Sequence, residues 1–212
     1  MNINNYPKKI SVFPLSEVVF FPKTILPLNI FEKRYIQLVN DSMKDQRLFG
    51  MIQPKQEMNF KPSVYKVGCL GKIINFEETA DRRFIILLSG ILRFKIKNEL
   101  KIDKLYRKFK VDYSNFSDDL NLYSNKYQKI TDDQLMKKIK IYLHKKNIFI
   151  KFSELKNLKF EQIVNTACMI SPFSKEEKQK LLETQNIKQK IKILDEVLNF
   201  NLLDDFENKT VQ

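Results

Sequence analysis

At 212 residues, with 43% apolar and 12% aromatic side chains, the chain can bury a core without disulfides, and it is too apolar for a disordered tail. Its net charge of +13 is weak evidence for phosphate binding. Arginine stands only at 34, 47, 82, 83, 93 and 107, and the remaining lysine, with abundant Asn, Ile and Phe, is what A/T-rich codons produce. Cys69 and Cys168 lie far apart in apolar contexts, which predicts two buried reduced thiols and no disulfide framework. The polar start, residues 1–9, lacks a signal-peptide core, and no run reaches the ~18 apolar residues that span a bilayer. A soluble, cytoplasmic chain without membrane contact is the expectation.

The opening stretch "FPLSEVVFFPKTILPLNIFEKRY" is apolar yet carries Pro14, Pro22 and Pro27. Each proline fixes φ and removes a ladder donor, so each belongs at a strand end, an edge or a bulge. The result is a set of short strands that turn corners, as a small closed or half-closed barrel requires. The runs 10–15, 18–21, 24–30, 48–53, 65–77, 83–89, 91–98 and 106–113 read as strands from their length and β-branched or aromatic content. One helix interrupts them over about 32–46, with Phe31, Tyr35, Leu38, Val39, Ser42 and Met43 at helical spacing. Glu32 and Arg34 stand in its first turn, where Glu32 suits the positive end of the helix dipole.

The polar stretch "SNFSDDLNLYSNKY" reads as a connection, and the chain after it is helical. Thr131 to Gln134 forms a capping box ahead of Leu135, Met136, Ile139, Tyr142 and Leu143 on one face. Ile163, Val164, Ala167 and Ile170 make a second stripe that stops before Pro172. Ser174 to Glu177 is another capping box, leading to Leu181 and Leu182, and Ile187, Ile191, Leu194, Val197, Leu198 and Leu202 make a last helix. The fold class is therefore α+β. A β-rich subdomain of 10–114 with one helix is joined by a connection at 115–130 to a helical bundle at 131–206.

Catalytic and cofactor chemistry finds little footing. The four glycines are 50, 68, 71 and 90, and "GCLGKI" at 68–73 has the wrong spacing and no hydroxyl after Lys72 for a phosphate loop, so a bulge or tight bend in a strand is expected. His144, the sole histidine, sits near a helix C-terminus, where partial charge is favourable. Cys168 lies on a helix with no basic neighbour to activate it, and one histidine with two cysteines at these spacings does not build a zinc site. The acidic pairs at 77–78, 118–119, 132–133, 176–177 and 204–205 resemble caps or solvated turns. Arg82, Arg83 and Arg93 are expected to pair with Glu32, Glu77 or Glu78 and to cover apolar surface with their stems. No enzyme, cofactor or metal site is expected.

The segments "VFPLSEVVFFPKTILPLNIFEKRYIQLV" (12–39), "LFGMI" (48–52), "VGCLGKIINFEE" (67–78), "RRFIILLSGILRFKI" (82–96) and "NLKFEQIVNTACMISPFSKEEKQKLLE" (157–183) together resemble the N-terminal substrate-binding domain of Lon protease. The resemblance spans about 10–205. It implies a PUA-like β-barrel subdomain followed by a helical bundle, with Pro14, Pro22, Pro27, Phe31, Glu32, Arg34, Tyr35, Gly50, Gly68, Gly71, Arg93 and Phe94 as structural motif residues. It also implies recognition of unfolded or tagged polypeptides. With no Walker motif and an end at Gln212, the chain resembles the stand-alone members of that family, without ATPase or Ser–Lys peptidase modules.

Three functions are therefore expected. The first is a non-catalytic module binding unfolded or damaged polypeptides, in a groove between barrel and bundle or by strand addition to an open edge. Its candidate contacts are Phe20, Phe21, Met51, Met58 and Phe60. The second is RNA binding, assisted by the charge. The third is an adaptor that docks on a protease.

Overall fold

A computed structural model of the protein describes residues 2–16, 18–55, 63–120, 133–150 and 158–207. Backbone proximity divides the chain into two units, residues 1–122 and 123–212.

The first unit is built on six strands: β1 (Lys9–Pro14), β2 (Ile25–Ile30), β3 (Leu48–Ile52), β4 (Val67–Glu78), β5 (Phe84–Leu100) and β6 (Arg107–Asp112). The long strand β5 organises them. It runs antiparallel to β4 along most of its length, while its first half also pairs with β2 and its last residues pair with β6. Strand β6 pairs with β1, β1 runs parallel to β3, and β3 pairs with β4. The circuit β5-β4-β3-β1-β6 therefore closes on itself, which removes the edges of those five strands from solvent. Beyond the barrel, the first half of β5, the second half of β4 and strand β2 continue as a three-stranded ribbon, with β2 on its edge.

Strand alternation fills the barrel. Ile10 and Val12 of β1, Ile52, Leu70, Leu92 and Phe94, Phe109 and Val111 of β6 form one buried cluster with Tyr113 and Leu120. Phe94 is admitted by two glycines. A Cβ on Gly50 would lie 2.8 Å from its ring, and one on Gly68 2.6 Å, distances at which only a missing side chain leaves room.

Pro14 ends β1, Pro22 stands in the turn before Lys23, and Pro27 lies within the edge strand β2. Between the first two, residues 18–21 were expected as a strand, and they pair with none of the described strands. Val19, Phe20 and Phe21 are instead driven into the core, and side chains serve the segment's carbonyls in place of a ladder. The Gln53 amide donates to Ser16 O at 3.0 Å and the Thr24 hydroxyl donates to Phe21 O at 2.7 Å. The two runs expected at 83–89 and 91–98 are one continuous strand. Gly90 does not stop β5; it gives the Phe21–Pro22 backbone space to pass against it.

Helix α1 (Lys33–Met43) joins β2 to β3 and packs beside β3 on the outside of the barrel. Its Tyr35 ring stacks on Phe13 with centroids 3.8 Å apart, and the Tyr35 hydroxyl donates to Pro14 O at 3.3 Å. Glu32 is its N-cap residue and forms no side-chain cap bond; it pairs with Arg34 at 2.7 Å on the surface. The loop after β5 is tied to the same helix. Asp41 accepts from the Tyr106 hydroxyl at 2.9 Å and pairs with Lys104 at 3.0 Å. Residues 114–120, expected in the polar connection, form two short 3₁₀ turns kinked at Phe116 that belong to this first unit, because Phe116, Asp119 and Leu120 are buried in it.

The described helices of the second unit are α2 (Asp133–Lys145), α3 (Phe160–Ile170), α4 (Lys175–Glu183) and α5 (Ile187–Glu207). The capping residues Thr131 and Asp132 expected before α2 lie outside the described residues. At α4 the box is closed: the Glu177 N–H donates to Ser174 Oγ at 3.2 Å, and the Ser174 N–H donates to Glu177 Oε2 at 2.7 Å. Leu135, Ile139, Tyr142 and Leu143 of α2, Val164, Ala167 and Cys168 of α3, Leu181 and Leu182 of α4, and Leu194 and Leu198 of α5 form its buried faces. Tyr142 stacks on Phe173 at 5.1 Å, and Lys138 reaches Asp195 at 2.6 Å to join α2 and α5.

Candidate functional site

The ribbon of β2, β5 and β4 has two faces, and register assigns every residue to one of them. Leu26, Leu28 and Ile30 pair with Leu88, Ile86 and Phe84, and these point inward. The intervening residues point out in three cross-strand rows. The first row is Ile25, Ser89 and Lys72; the second is Pro27, Leu87 and Asn75; the third is Asn29, Ile85 and Glu77. A register shift between Ile73 and Asn75 turns Ile74 outward as well. Ile25 is 55% exposed, Ile74 50% and Ile85 41%, so a stripe of β-branched side chains faces water. Isoleucine at such positions gives up apolar burial for no gain in the isolated unit.

Row one opens into a cleft of about 650 Å³ lined by Lys23, Leu48, Lys72, Ile74, Ile91 and Leu120, with Asn5, Tyr6, Gln46, Ser89, Gly90 and Asp119 completing it. Asp119 does not present its charge there. It accepts from the Arg93 backbone N–H and Nε, both at 2.9 Å, and from Nη2 at 2.7 Å, and the two side chains are 4% and 5% exposed. The guanidinium also lies 4.3 Å over the Phe116 ring. This corrects the expected partner of Arg93. Leu92 and Phe94 occupy the barrel face of β5, so Arg93 points out of the barrel to where Asp119 and Phe116 cover it. Glu77 and Glu78 stand on exposed ribbon positions. Arg83 pairs with Asp81 at 2.7 Å and lies 6.0 Å from the exposed Phe31 ring. Lys23, on the cleft wall, has φ of 60°, the left-handed region that favours glycine.

Of the five contacts expected from sequence, Phe20, Phe21 and Met51 are buried to 2% exposure or less and pack the interior, which removes them from any contact surface. Met58 and Phe60 lie outside the described residues. The exposed Ile25, Ile74 and Ile85 escaped the sequence reading because "ILPLNI" and "FIILLS" are apolar on both faces and resemble fully buried strands. Pro27 was the available signal, since it marks an edge.

The remaining candidates keep structural surroundings. "GCLGKI" lies within β4, with a register shift between Leu70 and Gly71. Both cysteines are buried thiols outside any disulfide, and burial pushes the Cys168 thiol up to about 12. His144 sits in the last turn of α2, edge-on to Phe149 at 5.7 Å. Among the described residues, no group of acidic, His and Cys side chains is placed to hold a metal ion, and no helix is long and apolar enough to cross a membrane.

Residues 9–199 match the family described as the ATP-dependent protease La (LON) substrate-binding domain. The chain belongs to this Lon substrate-binding domain family. A Lon protease of Desulfosudis oleivorans is 32% identical over 101 residues, covering 46% of this chain and 12% of that protein. A Lon protease of Anaeromyxobacter dehalogenans is 24% identical over 215 residues, covering 94% of this chain and 24% of that protein. The chain thus spans a quarter or less of the length of these relatives. Among solved structures, the N-terminal domain of Mycobacterium avium complex Lon protease superposes with a TM-score of 0.67 at 13% identity, covering 91% of this chain and 98% of that one. The Lon N-terminal domain protein of Xanthomonas campestris does so at 0.59 and 17%, covering 90% and 97%. The Lon substrate-binding domain is a substrate-binding module, and the match is to that domain and not to an ATPase or peptidase module.

Proposed function

We propose that the chain is a non-catalytic polypeptide-binding module that takes apolar segments of unfolded or damaged proteins on the outer face of the β2–β5–β4 ribbon, in the service of protein quality control. The observation that carries this reading is the exposed stripe of Ile25, Ile74 and Ile85, supplemented by Pro27 and Leu87. Membership of the substrate-binding family supports it. Finishing the burial of half-exposed isoleucines is worth about 1 kcal/mol each, so the three of the stripe supply roughly 3 kcal/mol. Part of this gain is offset by the cost of ordering the bound segment, so binding of any one segment is weak. Weak, sequence-tolerant binding of this kind suits a sorter of many clients.

Face burial fits β2 better than strand addition. Pro27 removes one donor from the strand that forms the open side of the ribbon, which blunts that edge. The test is fluorescence anisotropy of reduced, S-carbamidomethylated lysozyme, titrated with this protein to several hundred micromolar. Binding is expected, and Ile25→Ser with Ile85→Ser weakens it at least about fivefold, the loss of roughly 1 kcal/mol or more of burial. Unchanged binding by the double variant would overturn the assignment.

RNA remains the second reading, on one observation. Lys9 of β1 stands directly opposite Lys110 of β6, with Lys108 two residues on, so like charges face each other across the barrel wall. Such a pair is destabilising until an anion joins it. RNA binding there would fall steeply with salt and be lost in Lys9→Ala with Lys110→Ala, whereas ribbon binding would keep its affinity in that variant.

A further inference from the structure

The outer face of the ribbon runs one row further than its paired register. Phe31 follows the inward Ile30, Arg83 precedes the inward Phe84, and the two outward side chains meet, with the Arg83 guanidinium 6.0 Å from the Phe31 ring. The Thr79 N–H donates to Arg83 O at 2.9 Å, which carries the β4–β5 ladder to the same level. Four rows about 6.8 Å apart make a face about 20 Å long. Its apolar side chains are spread over all three strands. Ile25 and Phe31 stand on the β2 side, Leu87 and Ile85 on β5, and Ile74 on β4. Strands lie about 4.8 Å apart, so this apolar floor is about 10 Å wide.

From these dimensions we infer that the floor takes its polypeptide as an amphipathic α-helix of about 13 residues, the length that covers ~20 Å at 1.5 Å per residue. The inference rests on the polypeptide-binding reading above and adds the conformation and the sequence pattern of the segment. Width decides between helix and strand. An extended chain is one strand wide and sets every second side chain on a single line, so it covers one column of the floor and leaves the other columns wet. A helix is about 10–12 Å across, and its i, i+3, i+4 and i+7 positions make an apolar stripe of matching breadth. Backbone chemistry points the same way. Ladder bonds lie in the plane of a sheet, so an extended segment laid on the face gains none from the ribbon, whereas a helix brings its own.

Charge on the face is complementary to the two ends of such a helix. Lys72 in the first row and Glu77 in the third are both exposed on β4. They stand two rows apart, about 14 Å, which is about nine helical residues. A helix lying with its C-terminus toward Lys72 sets its unpaired carbonyls beside the ammonium group and its unpaired N–H groups beside the Glu77 carboxylate. Arg83, beyond Glu77, is already paired with Asp81.

The test uses the full chain and dye-labelled peptides of about 13 residues, the length set by the floor, all acetylated and amidated and of one Leu/Gln/Glu/Lys composition. The first has its leucines at helical spacing, the second has them alternating, and the third is the first with proline at its centre. A fourth carries a hydrocarbon staple on the polar side of the first. Anisotropy is expected to show the helical peptide at least fivefold tighter than the alternating one, the staple tightening it at least threefold further and the proline abolishing binding. Ile25→Ser with Ile85→Ser removes the preference for the helical peptide. Lys72→Glu with Glu77→Lys weakens it about threefold or more at low salt, and no change in that variant overturns the assigned direction. An alternating peptide that binds as well as the helical one overturns the inference, as does a staple without effect. So does sedimentation showing the protein alone as a dimer that the isoleucine variant dissociates, because the floor is then covered by a second copy. S-carbamidomethylated lysozyme run in parallel separates the two levels. If it binds while helical and alternating peptides are equal, only the helical conformation falls; if neither it nor any peptide binds, the polypeptide reading falls too.

Discussion

Replacing Asp119 with Ala tests the join between the barrel and the segment that comes after it. The carboxylate accepts three hydrogen bonds from Arg93, one from the backbone and two from the guanidinium, at 2.7–2.9 Å, and the ion pair is shielded from water. Truncation leaves a buried guanidinium without its counter-charge and a β5 N–H without its acceptor. Breaking a buried pair from one side costs about 3–5 kcal/mol. With a urea dependence near 2 kcal/mol per molar, the midpoint of unfolding shifts down by about 1.5–2.5 M. The assay is urea denaturation followed by circular dichroism at a β-sensitive wavelength. A second variant, Arg93→Met with Asp119→Leu, removes both charges and is expected to recover much of the loss, because a buried pair is costly to desolvate in the first place. A shift below ~0.5 M for Asp119→Ala, equivalent to about 1 kcal/mol, would refute the reasoning.

Three further outcomes are expected. Gly50→Ala destabilises the first unit by about 1–3 kcal/mol through collision with the Phe94 ring, and Phe94→Leu in the same chain offsets part of it, measured as a double-mutant cycle in urea. Cys69 and Cys168 react with a thiol-specific chromogenic disulfide at pH 8 only after denaturant is added, since both are buried and the Cys168 thiol stands at about 12. The Asp112 carboxyl is held at about 2 by the Ser114 N–H, at 3.0 Å, and by Lys97, at 2.9 Å. Its folded value lies below the unfolded one, so the stability it contributes is present above pH ~4 and lost as pH falls toward 2. Exposure limits the effect to under ~1 kcal/mol, and Asp112→Asn flattens the pH dependence of the melting temperature in that window.

The scaffold was legible where local chemistry and tertiary demand agree. The stripe at Tyr35, Leu38 and Val39 forms α1, and the Ser174–Glu177 box opens α4, because a capping bond is decided within four residues. Residues 18–21 failed because their apolar, β-branched composition fits a strand, and what they do instead depends on Gln53, Thr24 and Gly90, which are distant or serve other elements. The Arg93 partner was missed because Asp119 stands in a polar run of serines, asparagines and aspartates, where nothing local separates the buried carboxylate from Asp118 beside it. The site was hardest to read. A residue at a binding face and a residue in a core are both apolar, so bulk alone selected Phe20, Phe21 and Met51, which are buried, over Ile25, Ile74 and Ile85, which are not. Only pairing register separates them, and the long-range register of β5 against β2 and β4 lies outside any local pattern.

The central claim, that this body grips polypeptide on the outer face of its ribbon, is tested most directly by photocrosslinking. An unfolded polypeptide carrying a benzophenone is irradiated with the protein, and the adducts are located by mass spectrometry. Adducts concentrated on residues 25–29, 72–77 and 85–89 are predicted. Adducts gathered around Lys9 and Lys110, or confined to residues beyond 122, would contradict it.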